Sequence, residues 1–240
     1  MAATGLKKRI RDGEIIEGLG VSMDIERGQL EDYLAEKPYD YLSVDCQHVA
    51  FSEKELTSFS AMAEDLGIPP RVRIKHTRQA YLVGNYLDLG PAGIMVPEVE
   101  TEEIVDESVN AFYYPQKGKR SWGGTTRYGL SERPDRLEYA AWWNDFGVLS
   151  IQTESVDAVV NARQLAKPGI DVLAFGTNDL NFRIEAPPHF PIRTYEDCVK
   201  HVLEQLDGTG VRVSVRPESE AERDMFEKMG VTVFVDRKDM

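Results

Sequence analysis

Leu149-Ser-Ile-Gln-Thr-Glu154 and Val172-Leu-Ala-Phe-Gly-Thr-Asn-Asp179 are two apolar, strand-like stretches that each end in a carboxylate. A third stretch, Tyr41-Leu-Ser-Val-Asp45, also ends in an acid and is followed at once by Gln47 and His48. Polar side chains at the carboxyl ends of separate parallel strands are the arrangement with which an α/β barrel builds its active site. The three stretches therefore predict a barrel with one polar, functional face.

The rest of the chain repeats the same alternation of strand-like and helix-like segments. Eight strands interleaved with helices over 240 residues are typical of a (β/α)₈ TIM barrel, and no linker or internal repeat divides residues 1–240. A doubly wound sheet is the alternative, but no glycine-rich dinucleotide fingerprint follows the first strand. We therefore expect a single α/β barrel domain. The predicted strands are Ile15–Val21, Tyr41–Asp45, Arg71–Ile74, Gly93–Pro97, Val148–Gln152, Val172–Phe175, Val211–Val215 and Val231–Val235.

Helix signals lie between these runs. Ser52-Glu-Lys-Glu55 is a capping box, Asp157–Ala166 and Tyr195–Leu206 carry apolar residues at helical spacing, and Pro217 is expected to open another helix. Two segments are predicted to be loops, and the first is glycine-rich enough to lie over a pocket. The two loops are Tyr113–Ser131 and Asn181–Pro191.

Strand parity predicts which side chains face the barrel interior. Ser150, Gln152 and Glu154 alternate with apolar residues, and so do Arg71 and Arg73. Since the helices of a barrel bury the apolar faces of the strands, we expect the polar faces to point inward.

Composition excludes several classes of partner. The formal charge of −13 and the isoelectric point near 4.8 argue against nucleic acid and anionic membranes. No apolar run approaches the ~18 residues of a membrane span.

The sequence also indicates where the protein is located. Residues 1–14 lack the apolar core of a secretory signal. The two cysteines, Cys46 and Cys198, form no recognisable disulfide framework, so we expect a reduced, cytoplasmic protein.

The acids and the histidine suggest a chemistry. Glu154 and Asp179 are the ligand type that a hard divalent cation prefers, and His48 is suited to proton transfer. Glu154 alone is also what a helix amino terminus favours, and His48 alone could be an ordinary loop residue. Together they predict a metal-dependent enzyme.

The motifs jointly resemble the HpcH/HpaI aldolase family, the class II pyruvate aldolases among the citrate lyase-like barrels. The resemblance runs from about Gly18 to Val235. The motifs that carry it are Asp45-Cys-Gln-His48, Arg71-Val-Arg73, Val96-Pro97, Tyr114-Pro-Gln-Lys-Gly-Lys-Arg120, Gln152-Thr-Glu154 and Gly176-Thr-Asn-Asp179-Leu180.

The resemblance implies a metal site and an enolate. Glu154 and Asp179 would bind Mg²⁺, Mn²⁺ or Co²⁺, and pyruvate would chelate that metal. Arg73 would stabilise the enolate, while backbone amides around Gly176 and Asn178 would hold the pyruvate carboxylate. The substrates implied are a small oxo acid and an aldehyde.

The resemblance also implies the remaining roles. His48 would transfer the proton with Asp45 positioning it, and Asp88 would lie near the histidine of a neighbouring subunit in a homo-oligomer. Gln152 would lie close to the metal, and Arg120 would lie in the loop near the pocket.

Two departures from the family pattern keep alternatives open. Gln47 stands where the family usually has glutamate, and the chain stops at Met240, soon after the last strand, so the family's usual oligomer does not carry over directly. The alternatives are an acyl-CoA or other oxo-acid lyase of the same superfamily, a Schiff-base mechanism on Lys75, and a barrel that binds metal without catalysis.

Overall fold

The computed structural model describes residues 5–186 and 191–238. In that part of the chain, eight parallel strands close into a barrel in sequence order, and the last strand pairs with the first. The predicted (β/α)₈ barrel is therefore confirmed. The strands are β1 Ile16–Gly20, β2 Tyr41–Asp45, β3 Pro70–Arg73, β4 Gly93–Val96, β5 Val148–Thr153, β6 Val172–Phe175, β7 Arg212–Val215 and β8 Val233–Arg237.

Helices surround the barrel, and the connection after β3 also contains a 3₁₀ helix at Thr77–Leu82. The α-helices are α1 Leu6–Asp12, α2 Arg27–Glu36, α3 Glu53–Asp65, α4 Val83–Leu87, α5 Glu102–Phe112, α6 Arg136–Phe146, α7 Val156–Val160, α8 Ala162–Leu165, α9 Thr177–Glu185, α10 Tyr195–Gln205 and α11 Glu220–Met229.

Most predicted strand boundaries agree with the structure to within two residues. The last strand lies closer to the carboxyl terminus than predicted. It was predicted to end at Val235, but β8 continues through Asp236 to Arg237. The continuation comes from pairing with β1, where Gly20 lies opposite Arg237. Because Asp236 and Arg237 are charged, the alternation of apolar residues does not extend to them, and the sequence pattern did not predict this end of the strand.

Two helix predictions and one loop prediction need correction. The run Asp157–Ala166 is two short helices, α7 and α8, and the helix expected at Pro217 begins three residues later, with Ser219 as its amino-terminal cap. The predicted loop Asn181–Pro191 is wrong in its first half, since α9 continues to Glu185. Pro187 and Pro188 of that loop lie outside the described residues.

Other local predictions are confirmed. The Ser52 side chain accepts from the Glu55 backbone N–H, and the Glu55 carboxylate accepts from that of Ser52, which is the predicted capping box of α3. The glycine-rich segment from Tyr113 to Ser131 contains no helix or strand.

The barrel interior is divided into an apolar and a polar part. On β3 and β5, Arg71 points inward and donates to Ser150, and its guanidinium lies 4.3 Å from the centre of the Tyr41 ring. The prediction that the inward faces are polar holds there but is wrong for β1, β6 and β8. The inward residues of these three strands lie instead in an apolar cluster, together with Tyr41 of β2 and Val148 of β5. The members from the three strands include Ile16, Val172, Ala174, Val233 and Val235.

Helix α1, which the sequence did not predict, packs across the amino-terminal end of the barrel. Its Lys7 is buried and donates to Tyr113 at 2.6 Å and to the carbonyl of Gly147 at 2.7 Å, and it forms an ion pair with buried Asp171 at 3.0 Å. This end is therefore closed, and the opposite, carboxyl-terminal mouth is left for function. Among the described residues no helix is both long and apolar enough to cross a membrane.

Candidate active site

Glu154 is the buried acid of the mouth. It follows β5 directly and is 1% exposed, and its Oε2 atom has no hydrogen-bond partner among the described residues. Burial raises the pKa of this carboxyl to about 7, and the nearby charge of Asp179 contributes to the shift. A buried carboxylate oxygen without a donor is costly, because nothing replaces the water that it has lost. A cation at this oxygen would remove that cost.

Gly176 leaves the space that Glu154 uses. A Cβ atom at this position would lie 2.5 Å from Oε2 of Glu154 and 2.5 Å from Nε2 of Gln152, closer than real atoms approach. Since Gly176 follows β6 at the mouth, its missing side chain forms a hollow lined by the two polar groups of β5. The sequence predicted Gly176 for its backbone amide, and the structure adds this steric role.

Glu98, just after β4, orients the other oxygen of Glu154. Its backbone N–H donates to Oε1 at 2.7 Å. Glu98 has φ of 51°, and it alone among the described non-glycine residues has a positive φ. Backbone strain of this kind persists where the surroundings enforce it, commonly at functional sites. Glu98 was not predicted from the sequence, because a backbone N–H can come from almost any residue type and so no particular side chain marks the position.

Asp179 comes from the next element, although not from a strand end as the sequence suggested. It is the third residue of α9 and is exposed to solvent, with exposed Asn178 before it. The amino terminus of α9 offers backbone N–H groups that its own helix cannot use. The predicted metal ligands are therefore one buried and one exposed acid, and their role stays a prediction. No cluster of three or more His, Cys, Asp or Glu side chains suited to a metal occurs in the described residues.

Arg73 and Asp45 form a two-point ion pair at the ends of β3 and β2. Nε of Arg73 donates to Oδ1 of Asp45 at 2.9 Å, and a terminal nitrogen donates to Oδ2 at 2.6 Å. The other terminal nitrogen of Arg73 donates to Gln152 at 3.2 Å. Partial burial alone would raise the pKa of Asp45, but the hydrogen bonds and charge of Arg73 outweigh it, so this pKa is lowered. Arg73 is thus aimed toward Gln152, beside the hollow at Gly176.

His48 lies in the exposed loop that follows β2. Asp45 does not hold it through a hydrogen bond in the described contacts; Oδ1 instead accepts the backbone N–H of Gln47 at 2.8 Å. Asp45 therefore shapes the start of the loop that carries His48, and the predicted proton transfer stays a prediction. The side-chain oxygen of Gln47 is buried without a partner.

Asp88 and Arg120 are joined to each other. Asp88 caps the carboxyl end of α4 and accepts from Arg120 at 2.8 Å, and the Arg120 side chain is fully buried. Burial raises the pKa of Asp88, against the opposing hydrogen bond from Arg120. The guanidinium of Arg120 lies 4.8 Å from the ring centres of Tyr114 and Trp143. This contact fixes the glycine-rich loop to α4, whereas the roles predicted for both residues at the substrate stay predictions.

Lys75, the alternative nucleophile, lies beyond the end of β3. It is exposed, and its amine is 3.5 Å from the carbonyl of Val49. Nothing in these contacts aims the amine at the hollow beside Gly176.

Comparison with known proteins identifies the family. The sequence model described as HpcH/HpaI aldolase/citrate lyase matches residues 29–212, which is more than half of the chain. The chain belongs to this family. The predicted enzyme class, a carbon–carbon lyase of the aldolase type, is confirmed with it.

Relatives and solved structures give the same assignment. A 2-dehydro-3,6-dideoxy-6-sulfogluconate aldolase of Pseudomonas putida is 31% identical over 60% of this chain, an alignment that spans 55% of that relative. A hydroxypyruvate/pyruvate aldolase of Chromohalobacter salexigens is 27% identical over 85% of this chain and 80% of its own. The crystal structure of an HpcH/HpaI aldolase from Desulfitobacterium hafniense superposes with a TM-score of 0.81 at 26% identity, covering 98% of this chain and 90% of that one.

Proposed function

We propose that this protein is a divalent-metal-dependent aldolase that makes or breaks a C–C bond between the enolate of pyruvate and an aldehyde, on 4-hydroxy-2-oxo acids. The observation that carries the proposal is the partnerless, buried Oε2 atom of Glu154 beside the hollow at Gly176, with Asp179 near enough to affect its pKa. Two carboxylates with room for water suit Mg²⁺, Mn²⁺ or Co²⁺.

Glu154 and Asp179 would hold the metal, with Gln152 close to it. When bound, such a cation withdraws electrons from a ketone and makes the neighbouring C–H acidic. The two oxygens of Glu154 would have different roles. Oε1 accepts a hydrogen bond from the backbone N–H of Glu98, whereas Oε2 has no partner among the described residues and could bind the cation. The Glu98 amide thereby fixes the rotamer of this ligand, as outer contacts of metal sites do.

Arg73 would stabilise the negative charge that grows on the keto oxygen as C3 loses its proton. Its position is fixed by Asp45 before the substrate arrives, so little reorganisation is needed when the charge develops. The carboxylate of pyruvate would accept backbone N–H groups at the amino terminus of α9, a nine-residue helix that begins at Thr177.

His48 would take the proton from C3 of pyruvate and return it in the cleavage direction. Its exposure on the loop after β2 leaves it open to solvent, and water can then exchange the proton. Asp88 would support a histidine across a subunit boundary in a homo-oligomer, as the family resemblance implies. Arg120 would hold Asp88 in place for that contact. We place this reaction in the cytoplasm.

The test is a retro-aldol screen of 4-hydroxy-2-oxo acids that reads out released pyruvate. Chelation should abolish turnover, and Mg²⁺, Mn²⁺ or Co²⁺ should restore it, because both proposed ligands are oxygen donors. Borohydride added with pyruvate should leave the protein unmodified. Turnover that survives exhaustive chelation, with pyruvate trapped on Lys75, would assign the Schiff-base mechanism instead.

A further inference from the structure

One buried cation inside the barrel has no acid to balance its charge. Arg71 lies on the inward face of β3 and is 4% exposed. Lys7, which is buried at the closed end, has Asp171 as an ion-pair partner at 3.0 Å. The described polar contacts of the Arg71 guanidinium are to a hydroxyl and to an aromatic ring, and no acid is among them. The interior of the barrel therefore carries an unbalanced positive charge.

The guanidinium of Arg71 also has donors that no described group accepts. One terminal nitrogen donates to the Ser150 hydroxyl, and the centre of the Tyr41 ring lies 4.3 Å from the guanidinium carbon. Nε and the other terminal nitrogen are buried without a hydrogen-bond partner in the described residues. Burial raises the pKa of the Tyr41 phenol, so this ring stays neutral and is not the counter-ion. Buried charged donors of this kind are costly unless a partner replaces the water that they have lost.

The acids on the neighbouring strands are already paired with other cations. Glu17 of β1 binds Lys37 at 3.0 Å, and Asp45 of β2 binds Arg73 at 2.6 Å. Neither carboxylate is left to neutralise Arg71. The partner of its free donors is then an anion that comes from outside the chain.

A glycine makes room for the Arg71 side chain. Gly93 lies opposite Arg71 in the register of β3 and β4, and a Cβ atom there would stand 2.8 Å from Cγ of the arginine. The side chain passes over Gly93 on its way to Ser150 of β5. Because the strand between the two residues has no side chain at this point, the guanidinium is held inside the barrel and not at its edge.

Solvent reaches the level of Arg71 from the mouth. Ser43 lies opposite Arg71 in the register of β2 and β3, shares the inward face of β2 with Tyr41 and is half-buried. Met95, on the same face of β4 as Gly93 and one residue pair nearer the mouth, is also half-buried. A small ion can therefore pass down the interior to the arginine.

We propose that Arg71 is the centre of a binding site for a small monovalent inorganic anion, chloride, in the barrel interior below the proposed active site. Nε and the free terminal nitrogen supply two charge-assisted hydrogen bonds, and the Ser43 hydroxyl offers a third donor. The ion balances the charge that no acid of the described chain balances. This inference does not depend on the proposed function, because neither a metal nor an oxo acid takes part in it.

The first experiment measures Tm while sodium chloride replaces sodium gluconate at constant ionic strength, so that the screening of surface charges does not change. The wild-type Tm should rise by roughly 3–5 °C for each tenfold increase in chloride above its dissociation constant, since an ion that binds only the folded state stabilises it by mass action. Arg71→Met keeps an apolar side chain beside Gly93 but no charge, and its Tm should not depend on chloride. The matched control is Arg136→Gln, an exposed arginine at the start of α6, which should respond like the wild type.

The second experiment needs no variant, so it applies even if Arg71→Met does not fold. Wild-type crystals are soaked in sodium bromide, and anomalous scattering locates the bromide ions. We expect one ion beside the Arg71 guanidinium, and pyruvate added to the soak should leave it there.

Four outcomes would overturn the inference. A wild-type Tm that is equal in chloride and gluconate would reduce any bromide at Arg71 to an adventitious ion only. A rise with chloride that Arg71→Met retains would place the responsible ion elsewhere. Absence of bromide at the guanidinium would leave the site without its ligand, and bromide that pyruvate displaces would assign Arg71 to the substrate.

Discussion

Glu154 and Gly176 approach each other so closely that a Cβ atom at 176 would stand 2.5 Å from Oε2 of the glutamate. The contact joins the ends of two adjacent strands, β5 and β6. It means that the position of the buried acid depends on a residue that has no side chain.

Gly176→Ala should therefore remove the metal site while the barrel still folds. We expect metal affinity to fall at least about tenfold, the usual cost of displacing a ligand from its support. Isothermal titration with Mn²⁺ measures the loss, and circular dichroism checks the fold. Gly28→Ala is the matched control, because a Cβ there meets nothing within 4 Å. Wild-type Mn²⁺ affinity in Gly176→Ala would contradict the proposed position of the cation.

The pair of Arg73 and Asp45 predicts a kcat effect. Arg73→Lys keeps a charge but loses the planar fork that Asp45 holds at two points, so kcat should fall at least as much as kcat/KM. Arg73→Ala should cost ~10²-fold in kcat, the scale of one lost oxyanion donor. Steady-state kinetics on a 4-hydroxy-2-oxo acid measure both. A raised KM with unchanged kcat in Arg73→Ala would reduce the residue to a ground-state anchor.

Metal affinity should depend on pH through Glu154. Its pKa in the metal-free protein is raised to about 7, so below that pH a proton occupies the carboxyl that the cation needs. Affinity should be constant above the pKa and fall by up to about tenfold for each unit of pH below it, since one proton is displaced per cation. Titration with Mn²⁺ between about pH 8 and about pH 5.5 measures the slope. An affinity that does not change over this range would contradict Glu154 as a ligand.

The closed end of the barrel predicts a stability effect that is separate from catalysis. Lys7 and Asp171 are 1% and 0% exposed, and Lys7→Met would leave the aspartate with Arg11, at 3.1 Å and half-exposed, as its remaining ion-pair partner. We expect a loss of about 3 kcal/mol in the free energy of unfolding, typical of one member of a broken buried pair. Urea denaturation measures it. Lys8→Met is the control, because Lys8 lies on the same helix, is 78% exposed and should cost little.

The pH dependence of stability gives a second measure of the same pair. Burial lowers the pKa of Lys7 from its ordinary value to about 8, against the opposing charge of Asp171. The folded protein then binds fewer protons than the unfolded chain between about pH 8 and about pH 10.5, so this lysine favours folding increasingly as pH rises through that window. Lys7→Met should lose this slope.

Periodicity was sufficient to predict the barrel. Strands β2 and β6 have the predicted bounds, and β6 is a continuous apolar run that is buried on both faces. The position of the acids followed from the same strands, as Glu154 and Asp45 show. These residues could be predicted because strand ends are readable from sequence.

Other parts of the site could not be predicted, because they depend on contacts between distant segments. The Glu98 amide reaches Glu154 only after β4 and β5 pair, and Lys7 reaches Asp171 only when α1 covers the barrel end. The extension of β8 to Arg237 likewise depends on its pairing with β1, where Gly20 lies opposite Arg237. Backbone donors, side-chain pairs across the barrel and polar strand ends carry little periodic signal.

The most direct test of the central claim is deuterium exchange into C3 of pyruvate, followed by ¹H NMR without any aldehyde. We expect exchange in the metal-loaded protein, none after chelation, and recovery with Mg²⁺ or Mn²⁺. His48→Ala should bind Mn²⁺ like the wild type but exchange at least ~10²-fold more slowly, the scale of a lost general base. Exchange that persists in the chelated protein would contradict the metal-dependent enolate, and an unchanged rate in His48→Ala would remove that residue from proton transfer.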